Sequence, residues 1–198
     1  MTVAMPSSIG SDTLTDAQLI DSYLKSDDRD ALDTLVGRHL GRVRAMVHRI
    51  VLDEFAADDV TQEVFVRAIR GLKSFEGTSQ FSTWLHRIAV NTATDHLRRR
   101  EPKVVGYDVS AEETFSRNHS PVDSGPVAVA VANELSQQVD REIAALSPAL
   151  RTAIVLTAVE GHDTNSAAQI AGCTSATMYW RIHRARKILK QRLAKHLS

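Results

Sequence analysis

Apolar residues recur every three or four positions along most of the chain, the pattern of amphipathic helices that bury one face. Thr15 with Gln18 forms a capping-box pattern that opens a short helix to about Lys25. Leu32, Leu35, Val36, Leu40, Val43, Val47 and Ile50 predict a longer helix after it. Asp58 and Asp59 suit a helix N-terminus, and Val60, Val64, Ala68 and Leu72 continue that helix to a loop running from Gly71 to Gln80. A fourth helix is predicted from about Phe81 to Arg100, stopped by Pro102, which has no N–H to donate and restricts the residue before it. Gly106, Pro121, Gly125, Pro126 and scattered serines then interrupt the periodicity and read as a linker. Helix returns from about Val127 to Leu146, and Ser147-Pro148 supplies an N-cap and a first-turn proline for the next, which ends near Gly161. A short helix, about Asn165 to Ala171, meets Gly172; a long one follows with Met178, Ile182, Ala185, Leu189 and Leu193 on one face. No strand pattern competes. The expected architecture is all-α: two small helical domains, residues 13–101 and 127–198, joined by a flexible linker at 102–126 and preceded by a disordered tail at 1–12.

Charge changes this picture by its distribution, since the formal net charge is +0 over 198 residues. The first stretch is acidic (Asp12, Asp16, Asp21, Asp27, Asp28, Asp30, Asp33) and the last is basic (Arg181, Arg184, Arg186, Lys187, Lys190, Arg192, Lys195). Opposite local fields let one end meet phosphate and another meet a basic protein surface, although solvated helix faces are the simpler explanation of any single charge run. The single cysteine, Cys173, rules out an intramolecular disulfide and fits a reducing compartment. There is no apolar run of the ~20 residues a membrane helix needs, and no basic-then-apolar leader, so a cytoplasmic location away from membranes is expected. No phosphate-binding glycine loop, metal-spaced histidine pair or nucleophile motif is present. His162, Cys173 and His183 match no common zinc spacing. No catalytic residue, metal or cofactor is therefore expected.

Three helix faces carry candidate chemistry. On the third helix, Asp59, Gln62, Glu63, Val66 and Arg70 fall opposite the core side, so an apolar Val66 is ringed by polar groups, a docking patch for a basic protein; taken alone, an ordinary solvated face with one stray valine is the plainer reading. On the fourth helix, Arg87, Asn91, Thr94 and Arg98 lie opposite the stripe of Leu85, Ile88, Ala89, Ala93 and Leu97, with Asp95 beside them and Trp84 at the edge. Arginine grips phosphate, Asn and Asp read base edges, and an aromatic stacks on an unpaired base, a set suited to melted DNA. Against this, Trp84 alone is more often a core residue. On the last helix, Trp180, Arg184, Lys187 and Gln191 lie opposite the apolar stripe, and Ser175, Ala176, Thr177, Tyr179, Trp180 and Arg181 lead into a major groove if the short helix, Gly172 and the long helix form a helix-turn-helix. A helical hairpin with a charged tail is the plainer alternative.

Several segments in order resemble the extracytoplasmic-function sigma factors of the sigma-70 family. Asp59-Val60-Thr61-Gln62-Glu63-Val64-Phe65, Phe75-Glu76-Gly77 through Phe81-Ser82-Thr83-Trp84-Leu85, Arg87-Ile88-Ala89-Val90-Asn91 and Asp95-His96-Leu97-Arg98-Arg99-Arg100 are similar to sigma domain two. Leu146-Ser147-Pro148, Glu160-Gly161, Ala168-Gln169-Ile170-Ala171-Gly172-Cys173 and Arg181-Ile182-His183-Arg184-Ala185-Arg186-Lys187 are similar to sigma domain four. Each motif is weak alone; their order and coverage of nearly the whole chain make them specific.

The resemblance implies that Asp59, Gln62, Glu63 and Val66 bind the clamp helices of the largest subunit of core RNA polymerase, while the C-terminal domain meets the flap of the second largest subunit. It implies that Ser79, Gln80, Trp84, Arg87, Asn91, Asp95 and Arg98 recognise the promoter −10 element, whose loop in this family pockets a flipped base. It implies that Ser175, Thr177, Tyr179, Trp180, Arg181, Arg184 and Lys187 read the −35 element in duplex promoter DNA, that the linker threads toward the RNA exit path, and that an anti-sigma factor is a common inhibitor. Two stretches depart from the family pattern: Asp163-Thr164-Asn165-Ser166 replaces a Ser-Tyr-Glu-Glu-like run, and Met178-Tyr179-Trp180 replaces Val-Lys-Ser. A helix-turn-helix regulator acting without polymerase explains the C-terminal half and leaves the other two faces unexplained.

Overall fold

The computed structural model describes residues 14–100 and 137–196, and among these there are helices and turns but no strand. The expected tail at 1–12, the linker at 102–126 and the start of the helix expected from Val127 lie outside the described residues.

Four helices form the N-terminal unit. α1 spans Asp16–Ser26 and opens with the expected capping box, the Thr15 side chain accepting from the Gln18 N–H and the Gln18 side chain accepting from the Thr15 N–H. α2 spans Arg29–Val51 with Asp28 as its N-cap. α3 spans Glu54–Gly71, starting four residues before the expected Asp58, because the Asp53 carboxylate accepts from the Ala56 N–H and caps the helix there. Asp58 is instead a mid-helix residue paired with Arg44 at 2.6 Å. A 3-10 turn at Leu72–Ser74 leads into the loop before α4, Phe81–Arg100. Leu19, Leu35, Met46, Ile50, Leu72 and Leu85 fill the core between these helices. Leu40, one of the expected periodic residues of α2, is exposed.

The C-terminal unit begins with α5, described over residues 137–144. Pro148 opens α6 (Pro148–Ile154), as expected, though the Ser147 side chain makes no capping bond. The last turn, Val155–Val159, widens to the i→i+5 pattern, and Gly161 ends it with φ +78°. α7 is Thr164–Ile170 and α8 is Ser175–His196. Gly172 takes φ +63° in the turn between them, a conformation that favours glycine. Leu156, Ile170 and Met178 centre this second core. α7 lies against α4, and α6 against α2, so the two units share a seam.

Candidate nucleic-acid interface

On α3, Val60, Val64, Phe65 and Ala68 are buried, so the opposite side faces solvent. Asp59, Gln62, Glu63, Val66 and Arg70 are all exposed there, as the helical pattern predicts. Glu63 pairs with Arg67 one turn on, an exposed contact worth little. Phe55, which the pattern did not single out, is 87% exposed one helical turn before Asp59. Phe55, Asp59, Gln62 and Val66 follow the i, i+4, i+7, i+11 spacing of a single stripe, apolar at both ends and polar between.

On α4, Leu85, Ala89 and Ala93 are buried, and Arg87, Asn91, Thr94 and Arg98 are exposed. The Asn91 side chain has no hydrogen-bond partner among the described residues and keeps its donors and acceptor available. Asp95 accepts from Arg98 at 3.0 Å. Trp84 is half-buried rather than free: it stacks at a tilt on Phe75 and Phe81, with ring centroids 5.2 and 5.6 Å away. Gly71 allows this, since a Cβ there would stand 3.1 Å from the indole. The loop before α4 exposes Ser79 and Gln80. An open hollow of about 310 Å³ lies between that loop and the start of α1, lined by Thr15, Phe75, Gly77, Ser79, Gln80 and Phe81.

In the helix-turn-helix, Asp163 caps α7 by accepting from the N–H groups of Asn165 and Ser166 at 2.8 and 3.0 Å. Those bonds favour the ionised carboxylate, so the Asp163 pKa falls, with the Ser166 hydroxyl as the leading cause. The departure from the family's acidic run thus leaves a single acid doing the capping. Thr174 opens α8 by accepting from the Thr177 N–H at 3.1 Å, and the two threonine hydroxyls lie 2.9 Å apart. Met178, Ile182 and Ala185 are buried. Opposite them Tyr179 and Trp180 are 67% and 52% exposed. Ser175, Arg184, Lys187 and Gln191 are exposed too, whereas Thr177 and Arg181 are half-buried. Cys173 is half-buried against the core.

The seam between the units was not anticipated. Arg42 of α2 donates to the Glu160 carboxylate at 2.6 Å and to its carbonyl at 3.1 Å. Arg151 of α6 donates to the Ile50 carbonyl at 2.6 Å and to the Leu146 carbonyl at 2.9 Å. Burial pulls the Arg151 pKa down to about 10. Arg87 of α4 donates to the Gln169 carbonyl from Nε and Nη2 at 3.1 and 3.0 Å. The His86 and His162 rings share a hydrogen bond of 2.8 Å. His86 is 2% exposed, and burial, then the neighbouring His162, Arg42 and His39, push its pKa down to about 4. His162 is also lowered, chiefly by burial.

Among the described residues no three His, Cys, Asp or Glu side chains gather to hold a metal ion. No described helix is long and apolar enough to cross a membrane.

Residues 35–102 match the family described as Sigma-70 region 2, and residues 136–189 match that described as Sigma-70, region 4. The RNA polymerase sigma-H factor of Pseudomonas aeruginosa is 36% identical over 181 residues, covering 90% of this chain and 93% of that protein. The ECF RNA polymerase sigma-E factor of Escherichia coli (strain K12) is 37% identical over 186 residues, covering 92% of this chain and 96% of that protein. Two solved structures are similar in fold. The sigma factor RpoE, in complex with the anti-sigma factor NepR from Bartonella quintana, gives a TM-score of 0.63 at 26% identity, covering 82% of this chain and 96% of that one. CnrH, in complex with the cytosolic domain of CnrY, gives 0.61 at 26% identity, covering 94% and 99%. The order of regions, the helix-turn-helix and the extent of these likenesses agree: the chain belongs to the extracytoplasmic-function sigma factors of the sigma-70 family, which act in transcription initiation.

Proposed function

We propose that the three solvent-facing helix surfaces divide the work of initiation among them. The observation that carries this is that all three keep their polar stripes in solvent while the opposite stripes fill the cores. The α3 face with Asp59, Gln62, Glu63 and Val66 docks on the clamp helices of the largest polymerase subunit, with Phe55 extending the same stripe. Residues Ser79, Gln80, Trp84, Arg87, Asn91, Asp95 and Arg98 take the −10 element as single strand. The hollow beside Ser79 and Gln80 receives an extruded base, and Trp84 buttresses that loop through Phe75. Ser175, Thr177, Tyr179, Trp180, Arg181, Arg184 and Lys187 read the −35 duplex, Thr177 and Arg181 from half-buried positions. The C-terminal unit also meets the flap of the second largest subunit. The domain limits follow: residues 13–101 for the first, 127–198 for the second, and 102–126 as the tether. The chain acts in the cytoplasm without catalysis of its own. An anti-sigma factor is its expected inhibitor; the similar RpoE structure was solved with the anti-sigma factor NepR.

The test is open-complex formation. A base extruded from the stack can be read on its Watson–Crick edge, and unstacking it costs a few kcal/mol, so contacts made only afterwards couple reading to melting. Asn91→Ala should impair permanganate reactivity at the −10 element while leaving core binding and −35 duplex binding near normal. A template with a pre-melted bubble should recover part of the lost transcription. Normal opening by Asn91→Ala combined with alanine at Ser79 and Gln80 would show that this surface is not the −10 reader.

A further inference from the structure

The leading end of α8 lacks the side chains that most often read bases. Residues near the N-terminus of a recognition helix meet base edges in the major groove. Guanine is read there by the paired donors of arginine or lysine, adenine by the donor and acceptor of asparagine or glutamine, and cytosine by a carboxylate. On the exposed side of the first turns of α8 stand Ser175, Ala176, Tyr179, Trp180 and His183, and none is of those types. Their hydroxyls, indole N–H and imidazole make single bonds, which several bases can satisfy. What this surface holds in quantity is apolar area. Ala176 offers a methyl group, and Tyr179 and Trp180 are 67% and 52% exposed. The rings are fixed from behind, because Met178 is 0% exposed and Ile182 7%, and a rotation of α8 that hid the rings would draw both into solvent. The first turn is tied down as well: the Thr177 N–H donates to the Thr174 hydroxyl at 3.1 Å, and the Met178 N–H to the Thr174 carbonyl at 2.9 Å.

We infer that Tyr179 and Trp180 select thymine in the −35 element through its C5-methyl group, while Arg184 and Lys187 hold the phosphates. The inference deepens the −35 reading proposed above and rests on it.

The thymine methyl is the apolar group that base pairs present in the major groove, and cytosine has only hydrogen in its place. An aromatic ring laid on that methyl removes apolar area of both partners from water, and tyrosine and tryptophan do this at low cost in side-chain entropy. The positions of the cations divide the labour. A helix rises ~1.5 Å per residue, so Arg184 lies ~12 Å beyond Ala176 along the axis, about the ~12 Å width of the major groove. For a helix that enters by its N-terminus, Arg184 and Lys187 therefore stand at the phosphate wall when Ala176 and Trp180 stand at the bases. Arg181 joins them from a half-buried position on the flank. The Met178-Tyr179-Trp180 stretch, where the chain departs from its family's pattern, thus replaces reading by hydrogen bonds with reading by shape and apolar contact.

The test uses the full-length protein bound to core polymerase. Duplexes randomised over the −35 region, with the −10 region held constant and pre-melted, should yield a selected element that contains thymines. Replacing a selected thymine by deoxyuridine removes the C5-methyl and keeps every hydrogen-bonding atom. It should weaken binding about fourfold at each position that meets a ring, the factor for exposing one methyl-sized group. Replacing selected purines by their 7-deaza analogues, which lack the N7 acceptor, should cost less than the methyl does. Tyr179→Ala combined with Trp180→Ala should bind thymine and uracil duplexes equally. Its salt slope should match the wild type, because neither ring carries charge. Both rings are exposed, so helix content by circular dichroism should be unchanged. Trp180→Phe should keep part of the thymine preference. Wild-type indifference to deoxyuridine would overturn the inference, as would a deoxyuridine penalty that the double alanine variant retains in full. A larger loss from the 7-deaza analogues would overturn it in favour of hydrogen-bonded reading. Failure to select any duplex sequence would remove the −35 reading itself, and the inference with it.

Discussion

Lowering the pH should open the seam before it unfolds either domain. The closed form holds His86 at about 4, against an ordinary value of 6.5, so the open form binds more protons wherever the pH lies between these values. Closure is therefore unaffected above the ordinary histidine pKa, weakens as pH falls through 6.5, and stops weakening below about 4. At pH 5.5 an opened His86 is about nine-tenths protonated while the closed one stays neutral. The ratio is at most roughly tenfold, or ~1.4 kcal/mol against closure, because Arg42 and His39 stay in the same unit as His86; His162 adds in the same direction. Moving from pH 7.5 to 5.5 should raise the mean radius of gyration of the free chain, with far-ultraviolet circular dichroism unchanged. His86→Gln with His162→Gln keeps hydrogen-bonding groups at both positions but removes the protonation, and its size should stay flat over the same range. An equal acid response in that double variant, or none in the wild type, would refute the argument.

Further outcomes follow from other contacts. Asp163→Ala removes the cap of α7 and should cost about 1 kcal/mol, read as a lower thermal midpoint, whereas Asp163→Asn should lose much less. Glu63→Lys should weaken co-purification with core polymerase at least roughly tenfold, since a charge left unpaired at an interface costs about 2–5 kcal/mol. Phe55→Ala should weaken the same binding with no loss of stability, because the ring has almost no contact to lose. Arg184→Ala should lower −35 affinity and, for a phosphate contact, reduce the salt slope by about one unit. Trp180→Ala should instead shift sequence preference, as checked by competition with altered −35 duplexes.

Most of the fold was legible in the chain because its signals were local. The Thr15–Gln18 capping box, Pro148 at the start of α6 and Gly172 in the tight turn each act within a few residues, and each stands where expected. α3 was misplaced at its start for a local reason too. Phe55 turns outward, while the buried Ala56 and Ala57 are too small to mark a core face, so the pattern first became visible near Val60. Leu40 shows the opposite error: a residue in perfect register can still face solvent, because periodicity states which side it is on and not whether anything covers that side. The polar stripes of α4 and α8 were legible because their opposite stripes are so regular. The seam was not, since its partners are about eighty or more residues apart and half of its acceptors are carbonyls, which no residue type announces.

That use of carbonyls bears on how the chain can change under mutation. A side-chain acceptor is lost when its codon changes, but nearly any residue at position 169 or 50 still presents a carbonyl in the same place. Drift at Gln169 or Ile50 should leave those two bonds intact so long as the helices hold their course. The arginines have no such cover, because each guanidinium is supplied by one residue alone. Selection for a chain that opens more readily would therefore act asymmetrically. It would find its changes at Arg42, Arg87 and Arg151, and of these only Arg42 can be lost without also losing a proposed DNA contact or leaving a hole in a core.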